Sequence, residues 1–241
     1  MRRVAVLRAM AVLWAASVVV GCVKTSSTPS SSPSNRPTCA EQVYALELHC
    51  VDGRTLVGDK HLVTDISSRD ALGNIQVVVE IPAGTNAKWE VEKRSGYLQW
   101  ELDGGKPRVV NYAAYPANYG MIPRTLLPRA LGGDGDPLDV VVLGSVVPRG
   151  SIVSARPVGM LKLLDRGEQD DKVIAVLENS VFADVNTLAE LNDKFPGVVT
   201  LLEVWFSHYK GEGKMVLQAI VDEKEALKVI VAAEQAYMTG Q

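Results

Sequence analysis

The stretch Gly132–Gly144, GGDGDPLDVVVLG, constrains the fold more tightly than any other part of this chain. Asp134, Asp136 and Asp139 leave a glycine-rich turn and run into Val140, Val141, Val142 and Leu143. That apolar run, bounded by glycines, reads as a buried strand. Gly135 and Pro137 make the turn tight and set its direction. Carboxylates so close repel one another, and the usual remedies are a shared proton or a cation. An all-oxygen donor set on a turn suits Mg²⁺, Mn²⁺ or Ca²⁺. An isolated DGD would be an ordinary solvated turn, but Asp139 at the mouth of the strand shifts the reading toward metal. An EF-hand is excluded, because the sixth and twelfth loop positions, which require Gly and Glu, hold Asp139 and Ser145. A phosphotransferase with an aspartyl nucleophile carries that acid at the end of a strand, and here the strand follows the acids.

The chain opens with Arg2, Arg3 and Arg8, then an uncharged and mostly apolar block from Ala9 to Val20, then Gly21 and Cys22. Residues 1–21 therefore read as an export signal, too short to span a membrane comfortably. The VVGC sequence resembles a bacterial lipoprotein processing site, which makes Cys22 the expected lipidated residue and a membrane of the cell envelope the expected location. A transit peptide for an organelle is the alternative, since no acid precedes Glu41 and serine is abundant. Residues 22–38 are rich in Ser and Pro, without apolar periodicity, and read as a tether. Cys39 and Cys50, eleven apart at the start of the folded part, are candidates for a disulfide in an oxidising compartment.

The chain carries 25 Lys and Arg against 28 Asp and Glu, and losing three arginines with the signal makes the rest more acidic. A general nucleic-acid binder is not expected from that balance. Residues 39–241 suffice for one domain with a real core. Strand signals fill residues 75–81, 88–93, 97–102, 109–115, 139–144, 152–164 and 173–177, separated by Gly, Pro and Asp turns. So many short strands predict a closed antiparallel barrel. Helices come last: one opening near Pro196, with Val199, Leu202, Trp205, Phe206 and Tyr209 at helical spacing, and one capped by Asp222 with Glu225. The class is α+β, a barrel with C-terminal helices outside.

Strand alternation places Lys88, Glu90 and Glu92 on one face of KWEVEK and Trp89, Val91 and Lys93 on the other, and turns Glu80 away from Val77, Val79 and Ile81. A second acidic group, Asp165, Asp170 and Asp171, precedes Lys172 in a loop. Arg108, Tyr115, Tyr119, Tyr209 and Lys210 complete a set of acids, cations and phenols suited to a small polyphosphate, whose charge must be neutralised and held in line for attack.

The motifs VVVEIPAGTNAKWEVEK (77–93), YPANYG (115–120), DGDPLDV (134–140), RPVGMLKLLDRGEQDDK (156–172) and HYK (208–210) resemble those of the family I soluble inorganic pyrophosphatases. The resemblance implies a five-stranded antiparallel β-barrel of the OB type with flanking helices, and a hydrolase that splits pyrophosphate into two phosphates with several Mg²⁺ ions. It implies that Asp134, Asp139 and Asp170 hold the first metal, that Asp139 is shared with a second, and that Asp165 and Asp170 hold a metal carried by the substrate. Glu80 and Glu90 would support metals through water. Asp136 would orient and deprotonate the attacking water, whose pKa is lowered between cations, and Tyr119 would line the nucleophile side. Lys88, Arg108, Lys172, Tyr209 and Lys210 would take the phosphate oxygens. A homo-oligomer anchored to a membrane through lipid is expected. The competing reading is a noncatalytic lipoprotein that captures metal or metal phosphate with the same acids; an OB-type nucleic-acid binder fits the charge balance least.

Overall fold

The computed structural model describes residues 39, 42–129 and 132–240. Cys22 and the tether lie outside the described residues. In chain order the elements are β1 (His49–Cys50), β2 (Thr55–Val57), β3 (Ile75–Ile81), β4 (Trp89–Val91), β5 (Leu98–Trp100), β6 (Leu102–Asp103), β7 (Lys106–Pro107), β8 (Asn118–Met121) and β9 (Asp139–Leu143). There follow β10 (Ile152–Asp165), β11 (Glu168–Gln169), β12 (Lys172–Leu177), α1 (Leu188–Lys194), α2 (Val198–His208), β13 (Met215–Asp222) and α3 (Glu223–Thr239).

The long strand β10 organises the sheet. Its first residues, Ile152–Ala155, pair with β3, its middle pairs with β12, and its far half pairs with β13. Because β3 also pairs with β8, β8 with β9 and β9 with β12, five strands form a ring in the order β10-β12-β9-β8-β3 and back to β10. The expected all-antiparallel arrangement is corrected at one joint: β9 and β12 run parallel, with Asp139 opposite Lys172 and Val141 opposite Ile174. The chain leaves β9, crosses to β10 on the far side and returns through a hairpin, inserting β12 between them. A parallel neighbour requires a crossover of that kind.

Apolar residues of β9 and β12 alternate between two cores. Val141, Leu143, Ile174 and Val176 join Trp205 and Phe206 of α2, while Val140, Val142, Val173 and Ala175 join Ala226, Ile230 and Ala233 of α3. Burial on both faces explains the unbroken apolar runs. At roughly 1.5–3 kcal/mol for each fully buried aliphatic side chain, it also makes this pair the least replaceable part of the sheet. The smaller sheet β1-β2-β5-β4 stacks Trp89 on Trp100 at 5.5 Å between ring centroids and meets the ring through Val78 and Met121. Cys39 and Cys50 are joined as a disulfide with their Cα atoms 5.9 Å apart.

Helix α3 begins as the sequence predicts, with Asp222 Oδ1 accepting from Lys224 N–H at 3.1 Å and Glu225 N–H at 3.0 Å. The segment 109–115 is not a strand, which corrects the expectation. Its carbonyls at Val110 and Tyr112 accept from the Asn86 side-chain amide at 2.9 Å each, and only an isolated bridge between Ala87 and Val109, with Val110 N–H donating to Asn86 O, remains of a ladder. The sequence signals also missed the short strands β1, β2, β7 and β11, the ring strand β8, the half-exposed edge strand β13, and α1, which is capped by Thr187 Oγ1 accepting from Glu190 N–H at 3.1 Å.

Candidate active site

Glu80 from β3, Lys88 and Glu90 at β4, Tyr119 from β8, Asp139 from β9 and Asp165 from β10 all face one cavity of about 660 Å³. Asp134 and Asp136 from the turn before β9, Asp170 and Lys172 at β12, Tyr209 and Lys210 after α2, and Arg108 line the same space. Every chain position expected to bind metal, substrate or the attacking water is thus brought together.

Local rules explain the placement. In the acidic turn, Asp134 Oδ1 accepts from Asp136 N–H at 2.8 Å, and Gly135 adopts φ 80°, a left-handed conformation that favours glycine. Strand alternation puts Trp89 and Val91 into the core beside β5 and leaves Lys88 and Glu90 toward the cavity. The last turn of α2 is anchored by Trp205, whose indole N–H donates to Ala113 O at 2.9 Å and whose ring stacks on Tyr209 at 4.6 Å. That anchor fixes where Tyr209 and Lys210 enter the site.

Ammonium groups sit between the acids. Lys172 is 1% exposed, and its Nζ lies 2.5 Å from Asp139 Oδ2 and 2.5 Å from Asp170 Oδ1. Lys210 Nζ lies 2.8 Å from Asp165 Oδ2 and 3.7 Å from Asp170 Oδ2. Lys88 pairs with Glu90 at 2.6 Å, and Arg108 with Glu101 at 2.6 Å. Tyr119 lies between two lysines, its ring centroid 5.7 Å from Lys88 Nζ and 5.9 Å from Lys172 Nζ. Among the described residues no three His, Cys, Asp or Glu side chains converge on a single point. The donor set nevertheless fits hard divalent cations: it is all oxygen, and Asp165 Oδ1 and Asp170 Oδ2 are buried without a hydrogen-bond partner.

Titration reflects the crowding. Burial, with repulsion from Asp136, Asp139 and Asp170, pushes the Asp134 carboxyl up to about 6 against the bond from Asp136 N–H. Burial pushes Glu80 up to about 8, only partly offset by Lys88. Burial also pulls the Lys172 ammonium down, but Asp139 and Asp170 outweigh it and hold Lys172 above its ordinary value. A cation is thus held here by carboxylates although the site is buried.

Three contributors were not expected. Lys93 pairs with Asp136 and donates to Gly135 O at 3.1 Å. Alternation had placed it on the opposite face, but β4 ends at Val91 and the chain turns before Lys93; the Ser95-Gly96 turn was the available signal. Arg149, buried, donates to the Glu80 carbonyl and packs 4.7 Å over the Trp89 ring. Nothing in its local sequence marks that role. Glu101 meets Arg108 across the β6–β7 hairpin, where Arg108 N–H donates to Glu101 O at 2.8 Å. Conversely Asp171, one residue from Asp170, lies outside the cavity: it is 1% exposed and accepts from Lys162, Gln169 and Leu163 N–H.

A family model described as inorganic pyrophosphatase matches residues 77–238. The inorganic pyrophosphatase of Gluconobacter oxydans is 39% identical over 173 residues, 68% of this chain and 92% of that protein. One from Helicobacter pylori is 34% identical over 176 residues, 70% of this chain and 94% of its own length. Among solved structures, the type I inorganic pyrophosphatase of Toxoplasma gondii matches with a TM-score of 0.69 at 29% identity, covering 80% of this chain and 98% of that one. These likenesses extend over most of the described fold, and the chain belongs to the inorganic pyrophosphatase family, whose activity is hydrolysis of inorganic pyrophosphate.

Proposed function

We propose that the cavity hydrolyses pyrophosphate with several Mg²⁺ ions, held by Asp134, Asp139, Asp165 and Asp170 and supported through water by Glu80 and Glu90. The observation that carries this reading is the convergence of five aspartates, four phosphate-binding cations and two phenols on one cavity. When bound, the ions would neutralise phosphate charge and make water acidic enough to ionise near neutral pH. Asp136 orients the attacking water and takes its proton. Lys88, Arg108, Lys172 and Lys210 hold phosphate oxygens and stabilise the charge that moves to the departing phosphate. Tyr209 donates to a phosphate oxygen, and Tyr119 walls the side from which water arrives. The five-stranded ring is read as a barrel of the OB type.

The test is phosphate release at graded Mg²⁺ and Ca²⁺. Turnover is expected to require Mg²⁺ and to be inhibited by Ca²⁺, whose larger radius and looser coordination misplace the reacting groups. Equal rates in the two ions would contradict the proposed site.

The same proposal places the enzyme on a membrane of the bacterial envelope, lipidated at Cys22, tethered by residues 22–38 and assembled as a homo-oligomer. Its support is the VVGC sequence after an apolar block. No helix of the described residues is long and apolar enough to cross a membrane. The precursor is expected to fractionate with membranes and Cys22→Ala to be released. Wild-type protein found in the cytosol with residues 1–20 still attached would contradict the anchor.

A further inference from the structure

Six cationic side chains line the cavity, and five are tied to carboxylates: Lys88 to Glu90, Lys93 to Asp136, Arg108 to Glu101, Lys172 to Asp139 and Asp170, and Lys210 to Asp165. The sixth, Arg54, forms no ion pair with any described residue. Asp52, two residues away, commits its oxygens to Arg54 N–H at 2.9 Å and to the Thr55 hydroxyl at 3.1 Å.

Arg54 comes from the segment ahead of residues 77–238, so it is no part of the stretch that the family model matches. Two constraints hold it at the cavity wall. Trp100 donates its backbone N–H to Arg54 O at 2.8 Å and its indole N–H to Arg108 O at 2.8 Å, so one residue fixes the backbones of both arginines. The turn that carries Arg54 is fastened by Cys39 N–H donating to Gly53 O at 2.7 Å, next to the Cys39–Cys50 disulfide. Arg108 has its charge offset by Glu101. Arg54 therefore supplies the uncompensated positive charge on that wall.

We propose that Arg54 is a further substrate-binding residue, whose guanidinium donates to an outer phosphate oxygen of bound pyrophosphate, and that the disulfide-fastened turn exists in part to present it. The proposal rests on the pyrophosphate site described above. A guanidinium offers paired N–H donors in the spacing of phosphate oxygens, and such charge-assisted bonds are the strong ones. Arg54 is half-buried on the turn before β2 and is none of the groups proposed to hold metal or the attacking water, so it holds substrate and transition state about equally and acts on KM more than on kcat.

The experiment measures steady-state pyrophosphate hydrolysis in saturating Mg²⁺, and binding of the non-hydrolysable methylenediphosphonate by calorimetry, for wild type, Arg54→Ala, Arg54→Lys and the Cys39→Ser, Cys50→Ser double variant. The Arg54 side chain makes no hydrogen bond or ion pair with any described residue, so Arg54→Ala is expected to fold with an unchanged melting temperature. It is expected to raise KM and weaken diphosphonate binding about ten-fold, with kcat lowered far less. Arg54→Lys falls between, and the serine variant raises KM in the same direction. Unchanged KM and unchanged diphosphonate binding in Arg54→Ala, with an active wild type, would overturn the proposal alone. A wild type that releases no phosphate would instead overturn the site on which it rests.

Discussion

Lys172 and Asp139 face each other across the single parallel pairing of the ring, as Cα partners with Nζ 2.5 Å from Oδ2. The parallel register of β9 and β12 thus places a buried cation against the acid proposed to be shared between metals. With Asp170 on its other side, Lys172 is both a proposed phosphate ligand and the counter-charge between two aspartates.

Removing that counter-charge separates the two roles. Lys172→Met keeps the volume of the stem but leaves Asp139 and Asp170 facing each other. Breaking a fully buried pair costs about 3–5 kcal/mol. Asp139 is 26% exposed, so the expected loss in chelator is lower, roughly 2–3 kcal/mol. Mg²⁺ should restore much of this stability, while kcat/KM stays at least ~10²-fold down because a phosphate ligand is gone. Urea unfolding with and without Mg²⁺ reads the first effect and initial rates the second; a variant equally stable in chelator would contradict the counter-charge.

Stability should also depend on pH in a direction set by the raised carboxyls. Between the ordinary carboxylate range and about 6 for Asp134 or about 8 for Glu80, the folded chain keeps protons that the unfolded chain has released. More protons bound to the folded state means that stability falls as pH rises through that window. Lys88 holds Glu90 below its ordinary value, and Asp170 is held low by Lys172 against the push of burial. These two act in the opposite sense, their contribution being lost on acidification. The metal-free protein should therefore melt at a lower temperature at pH 8 than at pH 5, and Glu80→Gln should flatten the upper part of that decline. Calorimetric scans in chelator showing a rise from pH 5 to pH 8 would contradict the assignment.

The disulfide closes a loop with a sequence separation of 11. The chain-entropy relation gives about 3 kcal/mol for a loop of that size. The Cys39→Ser, Cys50→Ser variant is expected to unfold at lower urea by that order, and reductant should shift wild type but not the variant. A reductant-insensitive wild type would show that the bridge does not hold the folded state.

Much of the site was legible because its residues obey short-range rules. The turn 134–139 carries its own glycine and proline, the strand it feeds is apolar throughout, and alternation in β4 separates Trp89 from Lys88 and Glu90. Asp222 caps α3 through bonds two and three residues away. What was not legible depends on partners distant in the chain. Segment 109–115 has strand composition, but its carbonyls are taken by Asn86. The parallel joint arises from where β10 crosses, which no local pattern records. Lys93 reaches the site through a turn, and Arg149 supports Glu80 from behind it, 43 and 69 residues from the partners they meet. Arg54 belongs with them, since its place at the wall depends on Trp100.

Steady-state rates of pyrophosphate hydrolysis against Mg²⁺ concentration and pH for Asp136→Asn and Asp139→Asn separate the roles proposed for these two acids of the turn. Asp139→Asn should raise the Mg²⁺ concentration needed for activity. Asp136→Asn should change that requirement less, lower turnover by roughly 10²–10⁴, with the lower end expected, and move the rate profile to higher pH. Wild-type turnover in a folded, Mg²⁺-loaded Asp136→Asn variant would contradict the role given to Asp136.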